Sequence, residues 1–336
     1  MENKETFDEL YNRLYNENFS KLDSIRREEE KKSMKDLIFY GGGFLGILAV
    51  IMIALVSAIC APNHLTTQQI THRIIFIVSI PIGIIFIGLI VSVLKASKKD
   101  KTEVKEKKVT YIDLFTERIV TPIIKSVFEN SEYYCDDGLT EEEYDKGDWE
   151  SYDRYSSEDK IITQINIDES KDLKTKLVMS QVHTEDRHKD DEGKVYYSTV
   201  FSGIAGYADL PKDIGCYLDV AVNGWFDSCK DKLEMDMSGF EEMFDVKTDD
   251  KIKAMQILTS DIMSELIQLT KTSNFRFEFY INHGRIYIRF HTGGIFETSV
   301  FSKTMNYEEL KEYFDILSSI KNITEHICTV ILNTDL

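Results

Sequence analysis

FRFEFYINHGRIYIRF, residues 275–290, is the stretch that decides the class of the folded part of this chain. Phe275, Phe277, Phe279 and Ile281 alternate with polar or aromatic neighbours, Asn282-His283-Gly284 makes a tight turn, and Ile286, Ile288 and Phe290 return. Period-two alternation on both sides of such a turn predicts an antiparallel hairpin. Upstream, Ile161–Ile167, Leu173–His183, Val195–Ala205 and Ile214–Val222 also read as extended, and HTEDRHKDDEG reads as a solvated turn between the second and third. A helical stretch separates these runs from the hairpin. Asp249 or Asp250 caps a helix through Ile257, Ser260 or Asp261 caps another to about Lys271, and Phe240–Phe244 suggests a helical turn. Downstream, Leu310, Phe314, Leu317, Ile320 and Ile323 stripe a helix from about Asn306 to Cys328. Strands, then helices, then a hairpin and a helix do not alternate as βαβ units do, so the class is α+β, antiparallel strands with packed helices.

Working toward the N-terminus, Val109–Phe128 reads as a helix that Pro122 kinks or divides, and Asn130–Lys160 as an exposed loop with short structured pieces. Before it stand two uncharged runs, Leu37–Ala61 and Ile74–Leu94, each long enough to cross a bilayer as a helix. The twelve residues between them imply a two-helix transmembrane hairpin. Basic residues precede the first run (Arg26, Arg27, Lys31, Lys32, Lys35) and follow the second (Lys95, Lys98, Lys99, Lys101, Lys105, Lys107, Lys108), while the link carries Arg73 alone. That distribution places both termini in the cytoplasm of a multi-pass cell-membrane protein. The expected layout is a charged cytoplasmic helix (1–36), transmembrane helix 1 (37–61), an external loop (62–73), transmembrane helix 2 (74–94), a Lys-rich juxtamembrane linker (95–108) and an acidic cytosolic α+β domain (109–336). In the first of these, Phe7, Leu10, Tyr11 and Leu14 mark one helix face, expected to pack on the C-terminal domain or on a second copy.

Charge excludes one class of partner. Residues 1–108 hold 16 Lys+Arg and 13 Asp+Glu; the rest hold 24 and 45, a net of −21. Such a surface repels phosphate backbones, so no nucleic acid is expected. The partners expected are the lipid bilayer, through the two spans, and a protein partner or a second copy. The five cysteines (Cys60, Cys135, Cys216, Cys229, Cys328) form no C-x-x-C pair and read as reduced structural thiols.

Phe201-Ser202-Gly203 at a strand end, and the block FEEMFDVKTDDKIKAMQILTSDIM from Phe240, resemble a bacterial family known as domain of unknown function 3137. The resemblance runs from roughly Val109 to Ile327. It implies one or two N-terminal spans joined to a domain of this kind, and it brings no catalytic residue. Physically, Phe240, Phe244, Val246, Ile252, Met255, Ile257, Leu258 and Met263 read as the apolar positions of packed short helices.

Chemical motifs are weighed and set aside. Gly41, Gly43 and Gly46 fit G-x-G-x-x-G only in letters, since they open an apolar run and not a βαβ unit. His183 and His188 with Glu185, Asp186, Asp190 and Asp191 offer metal-ligand chemistry without the spacing of a rigid pair. His291, near Glu297, reads as a satisfied strand-end histidine, and Trp149, Tyr152 and Tyr155 as loop aromatics. There is no G-x-S-x-G elbow, no S-x-x-K with its partner motifs and no phosphate-binding G-x-x-x-x-G-K. No catalytic, cofactor-binding or metal residue is assigned, and no cofactor is expected. The function expected is an interaction or scaffold module binding a protein partner or itself, with a hydrolase-like enzyme or an accessory subunit of a transport or envelope complex as alternatives.

Overall fold

The computed structural model describes residues 5–59, 109–223, 232–272, 276–296 and 298–334. The side chains of 36–59 are outside that description. The chain forms two compact units, Met1–Ser20 with Leu114–Leu336, and Lys21–Asp113.

Helix α1 runs unbroken from Phe7 to Ile59. The stretches read as a charged helix 1–36 and a span 37–61 are continuous in the backbone as far as Ile59; Gly41–Gly43 lower helix propensity but do not end the helix. Among the described residues no helix is long and apolar enough to cross a membrane. This overturns the expected transmembrane hairpin and the multi-pass cell-membrane placement with both termini cytoplasmic, and leaves the lipid bilayer as partner without support. The part of α1 whose side chains are described is charged: Arg26 pairs with Asp23 and Glu30, each at 3.1 Å, and Arg27 with Asp23 at 2.7 Å. The expected loop 62–73, the second span 74–94 and the linker 95–108 lie outside the described residues.

Further along the chain, α2 (Tyr111–Phe115) passes through a π-helical turn, Thr116–Val120, into α3 (Thr121–Val127). Pro122, at the first turn of α3, has no N–H to continue a regular ladder, and the Thr121 amide reaches back to the Thr116 carbonyl. Then follow β1 (Glu132–Tyr134), α4 (Glu141–Asp145), β2 (Arg154–Asp168), β3 (Leu173–Lys189), β4 (Val195–Asp209), β5 (Leu218–Val222), α5 (Ser238–Glu241), β6 (Phe244–Thr248), α6 (Lys251–Ile257), α7 (Ser260–Thr272), β7 (Arg276–Asn282), β8 (Arg285–His291) and α8 (Tyr307–Asn333).

The strands form one sheet in the order β1-β2-β3-β4-β8-β7-β5-β6, every pairing antiparallel. The 275–290 hairpin is present as β7 and β8, turning at His283 (φ 48°) and Gly284 (φ 71°), two left-handed residues in succession that suit a tight hairpin. Its alternation sorts the two faces. Phe277, Phe279 and Ile281 stand opposite Phe290, Ile288 and Ile286 and are buried, as is the stripe Leu310, Ile316, Leu317 and Ile320 of α8. On the other face Glu278 stands opposite Arg289 and Tyr280 opposite Tyr287.

Three local expectations change. HTEDRHKDDEG is mostly strand: β3 continues to Lys189, and the turn is confined to residues 190–194. Phe244 and Val246 lie on strand β6, with the Phe244 ring stacked on Phe240 at 4.7 Å, so the Phe240 block is helix, strand and helix. Asn130–Lys160 is more than exposed loop: Leu139 and Tyr144 are buried on the second sheet face. A capping box at Thr140 and Glu143 starts the short helix α4 there.

Near the N-terminus, Phe7 meets the rings of Tyr307 and Phe314, each at 5.4 Å between centroids, and the Tyr11 hydroxyl donates to the Met305 carbonyl at 2.9 Å. The apolar stripe of α1 thus packs on the chain's own last helix.

Candidate functional site

Two places depart from ordinary packing. The first is on the second sheet face, where the covering segment 139–153 meets β8. Arg289 is 1 % exposed there. Its guanidinium donates to the Tyr144 hydroxyl at 3.0 Å and to Glu150 at 2.8 Å, pairs with Glu278, and lies 4.2 Å from the centre of the Trp149 ring and 4.9 Å from that of Phe201. A buried charge is tolerable only when so fully partnered. Burial pushes the Arg289 pKa down, and the charges of Glu278, Tyr144 and Glu150 outweigh it, leaving the pKa raised. Burial likewise raises Tyr144, despite the cation beside it.

Beside this network is a cavity of about 270 Å³, lined by Asp148, Trp149 and Glu150 of the covering segment and by Asp219, Glu278, Tyr280 and Arg289 of three neighbouring strands. Asp219 is on β5, across from Tyr280 on β7 and Lys247 on β6. Burial, and then the charge of Glu278, push its carboxyl up to about 7. At neutral pH this group exchanges a proton readily. Glu150 and Glu278 are already engaged by Arg289.

The second place is the outer part of β4. From Val195 to Ser202 this strand pairs with β3 on one side, whereas β8 joins its other side only from Ile204. The cause lies at Phe201-Ser202-Gly203. The Gly293 amide donates to the Ser202 carbonyl at 3.1 Å, and a Cβ on Gly203 would stand 1.9 Å from the Phe290 carbonyl oxygen. There β8 leaves the sheet. Beyond it Val195, Tyr196, Ser198 and Thr199 are exposed, Tyr196 at 51 %. Rings brace the arm on its surfaces: Tyr196 stacks on His188 at 5.2 Å, and Arg154 lies 3.4 Å over Tyr197.

The residues singled out in the sequence fall as follows. His291 is beside the Arg289 network, its Nε2 3.2 Å from Glu278 Oε1 and its ring edge-on to Phe201 at 4.8 Å. Glu297, its suspected companion, lies outside the described residues. His183 and His188 sit on β3 at an odd spacing, hence on opposite faces; His183 is 3.5 Å from Glu185, and His188 bonds Ser198 at 2.6 Å. Among the described residues no group of three or more His, Cys, Asp or Glu is placed to hold a metal ion. Trp149, Tyr152 and Tyr155 gather around Tyr144 with centroids 5.4–6.3 Å away. Cys216 and Cys328 are buried, Cys135 is exposed, and Cys60 and Cys229 lie outside the described residues. Sequence reasoning missed Arg289, Glu278 and Asp219. The signal available was charge at alternate positions of runs otherwise apolar.

No curated protein and no solved structure matches this chain. The family model described as a protein of unknown function (DUF3137) matches residues 199–328, a narrower span than the resemblance from Val109 suggested. It begins two residues before Phe201 and takes in Arg289 and most of α8. This chain therefore carries the DUF3137 domain, of unknown function, over residues 199–328.

Proposed function

We propose that this domain is a protein-interaction module, and that its binding element is the outer edge of β4 from Val195 to Phe201. The observation carrying the reading is a strand edge that is unpaired among the described residues, because backbone N–H and C=O groups left there form a ready template for an added strand. Main-chain bonding gives such docking its affinity, and the exposed side chains on either face give it selectivity. A photo-crosslinking amino acid at Tyr196 of the full chain, irradiated in its native host, tests this. Cross-links to an extended protein segment, lost when Thr199 is replaced by Pro, support the reading. A Tyr196 position that cross-links to nothing overturns it.

A hydrolase-like enzyme is the second reading, favoured by the cavity that Asp219 shares with Glu150 and Glu278. Asp219 supplies a group able to give or take a proton near neutrality. Turnover of a simple ester or phosphoester that Asp219→Asn abolishes supports it. No turnover removes it.

A further inference from the structure

We infer that the occupant of the β4 edge is a second copy of this chain, its own β4 paired antiparallel about a two-fold axis at Tyr197. The inference rests on the reading of that edge as the binding element and names what binds it.

The fold protects its other edges. β1 is three residues long and carries Glu132. The facing edge of β2 carries Arg154, Glu158, Asp159 and Lys160, has a bulge between Glu158 and Ile161, and donates its Asp159 and Lys160 amides to the Cys135 and Asp137 carbonyls. Along β6 the Leu233 amide bonds the Val246 carbonyl, and Lys232 pairs with Asp245 at 2.7 Å. Shortness, charge, bulges and covering segments are the usual means of keeping a sheet from pairing with another chain. Ahead of the bulge at Val200, the run Val195-Tyr-Tyr-Ser-Thr199 has none of them: no charge, no Pro, and residues of high β propensity.

Register gives the pairing its geometry. The Asp190 amide bonds the Lys194 carbonyl, which makes that pair a hydrogen-bonded one. Antiparallel alternation then turns the N–H and C=O of Val195, Tyr197 and Thr199 away from β3. A two-fold axis at Tyr197 sets Tyr197 opposite Tyr197 of the partner copy and Val195 opposite the partner's Thr199, so each outward group meets its complement. Because Val195–Phe201 is uncharged, the self-pairing puts no like charges opposite each other, although the domain around it carries a net of −21.

Sedimentation velocity on the full chain, with hydrogen exchange at the amides of Val195, Tyr197 and Thr199, decides the matter. Expected are twice the chain mass and slow exchange at those three amides. Thr199→Pro, whose lost N–H points away from β3, is expected to restore single-chain mass. The exchange measurement on the unaltered chain stands whether or not the variant folds. A dimer with fast exchange at these amides, or a monomer at all concentrations, overturns the inference. If such a monomer still cross-links through Tyr196 to a different protein, only the second copy is excluded and the interaction reading stands.

Discussion

Arg289 binds the covering segment to the sheet because a guanidinium offers five donors in a fixed plane, and here they reach a strand neighbour, a helix hydroxyl and a loop carboxylate together. Replacing it with Leu leaves Glu278, itself buried, without its cation. We expect a loss of about 3–5 kcal/mol in denaturant unfolding, partly regained when Glu278 is also made Leu. Asp219 has the opposite character. Its folded pKa lies above that of a free carboxyl, so the native state binds more protons than the unfolded chain between about pH 4 and 7, and its contribution makes stability fall as pH rises through that window. Asp219→Asn removes the penalty. The variant is expected to melt above wild type at pH 8, with the gap closing toward pH 4 in parallel thermal scans. A gap independent of pH would show that Asp219 is not the titrating group. None of these residues was singled out from the sequence. Glu278 and Arg289 occupy the polar positions of an alternating strand, where solvent exposure is the ordinary expectation, and only the covering segment makes those positions interior.

At the scale of elements, the strand and helix pattern was legible wherever one face is apolar. The alternation in β7 and β8 and the stripe of α8 locate those elements to within a few residues. It failed at the β3–β4 arm, where His183–Lys189 is strand despite its charges, because the arm has solvent on both faces and no apolar period to show. The Phe240 block misled in the other direction: Phe244 keeps helical spacing from Phe240, yet the chain enters a strand between them. Where β4 and β8 part, Gly203 decides the geometry. Gly203→Ala must push the Phe290 carbonyl aside and is expected to cost about 1–3 kcal/mol in chemical denaturation, with the β8 amides exchanging faster. An unchanged midpoint would mean the two backbones separate freely there.

For the molecule as a whole, the eight strands place residues from both ends of the chain in one unit, and α1 begins against the helix that ends it. Phe7→Ala removes a ring lying between Tyr307 and Phe314 and is expected to lower stability by about 3 kcal/mol, measured by urea titration of the full chain. That closure of start onto finish also bears on biosynthesis. Phe7 and Tyr11 leave the ribosome long before the surface that shields them, Met305 to Phe314, has been made. Until then the nascent chain carries an uncovered aromatic face, and the start of α1 settles only once α8 has been released.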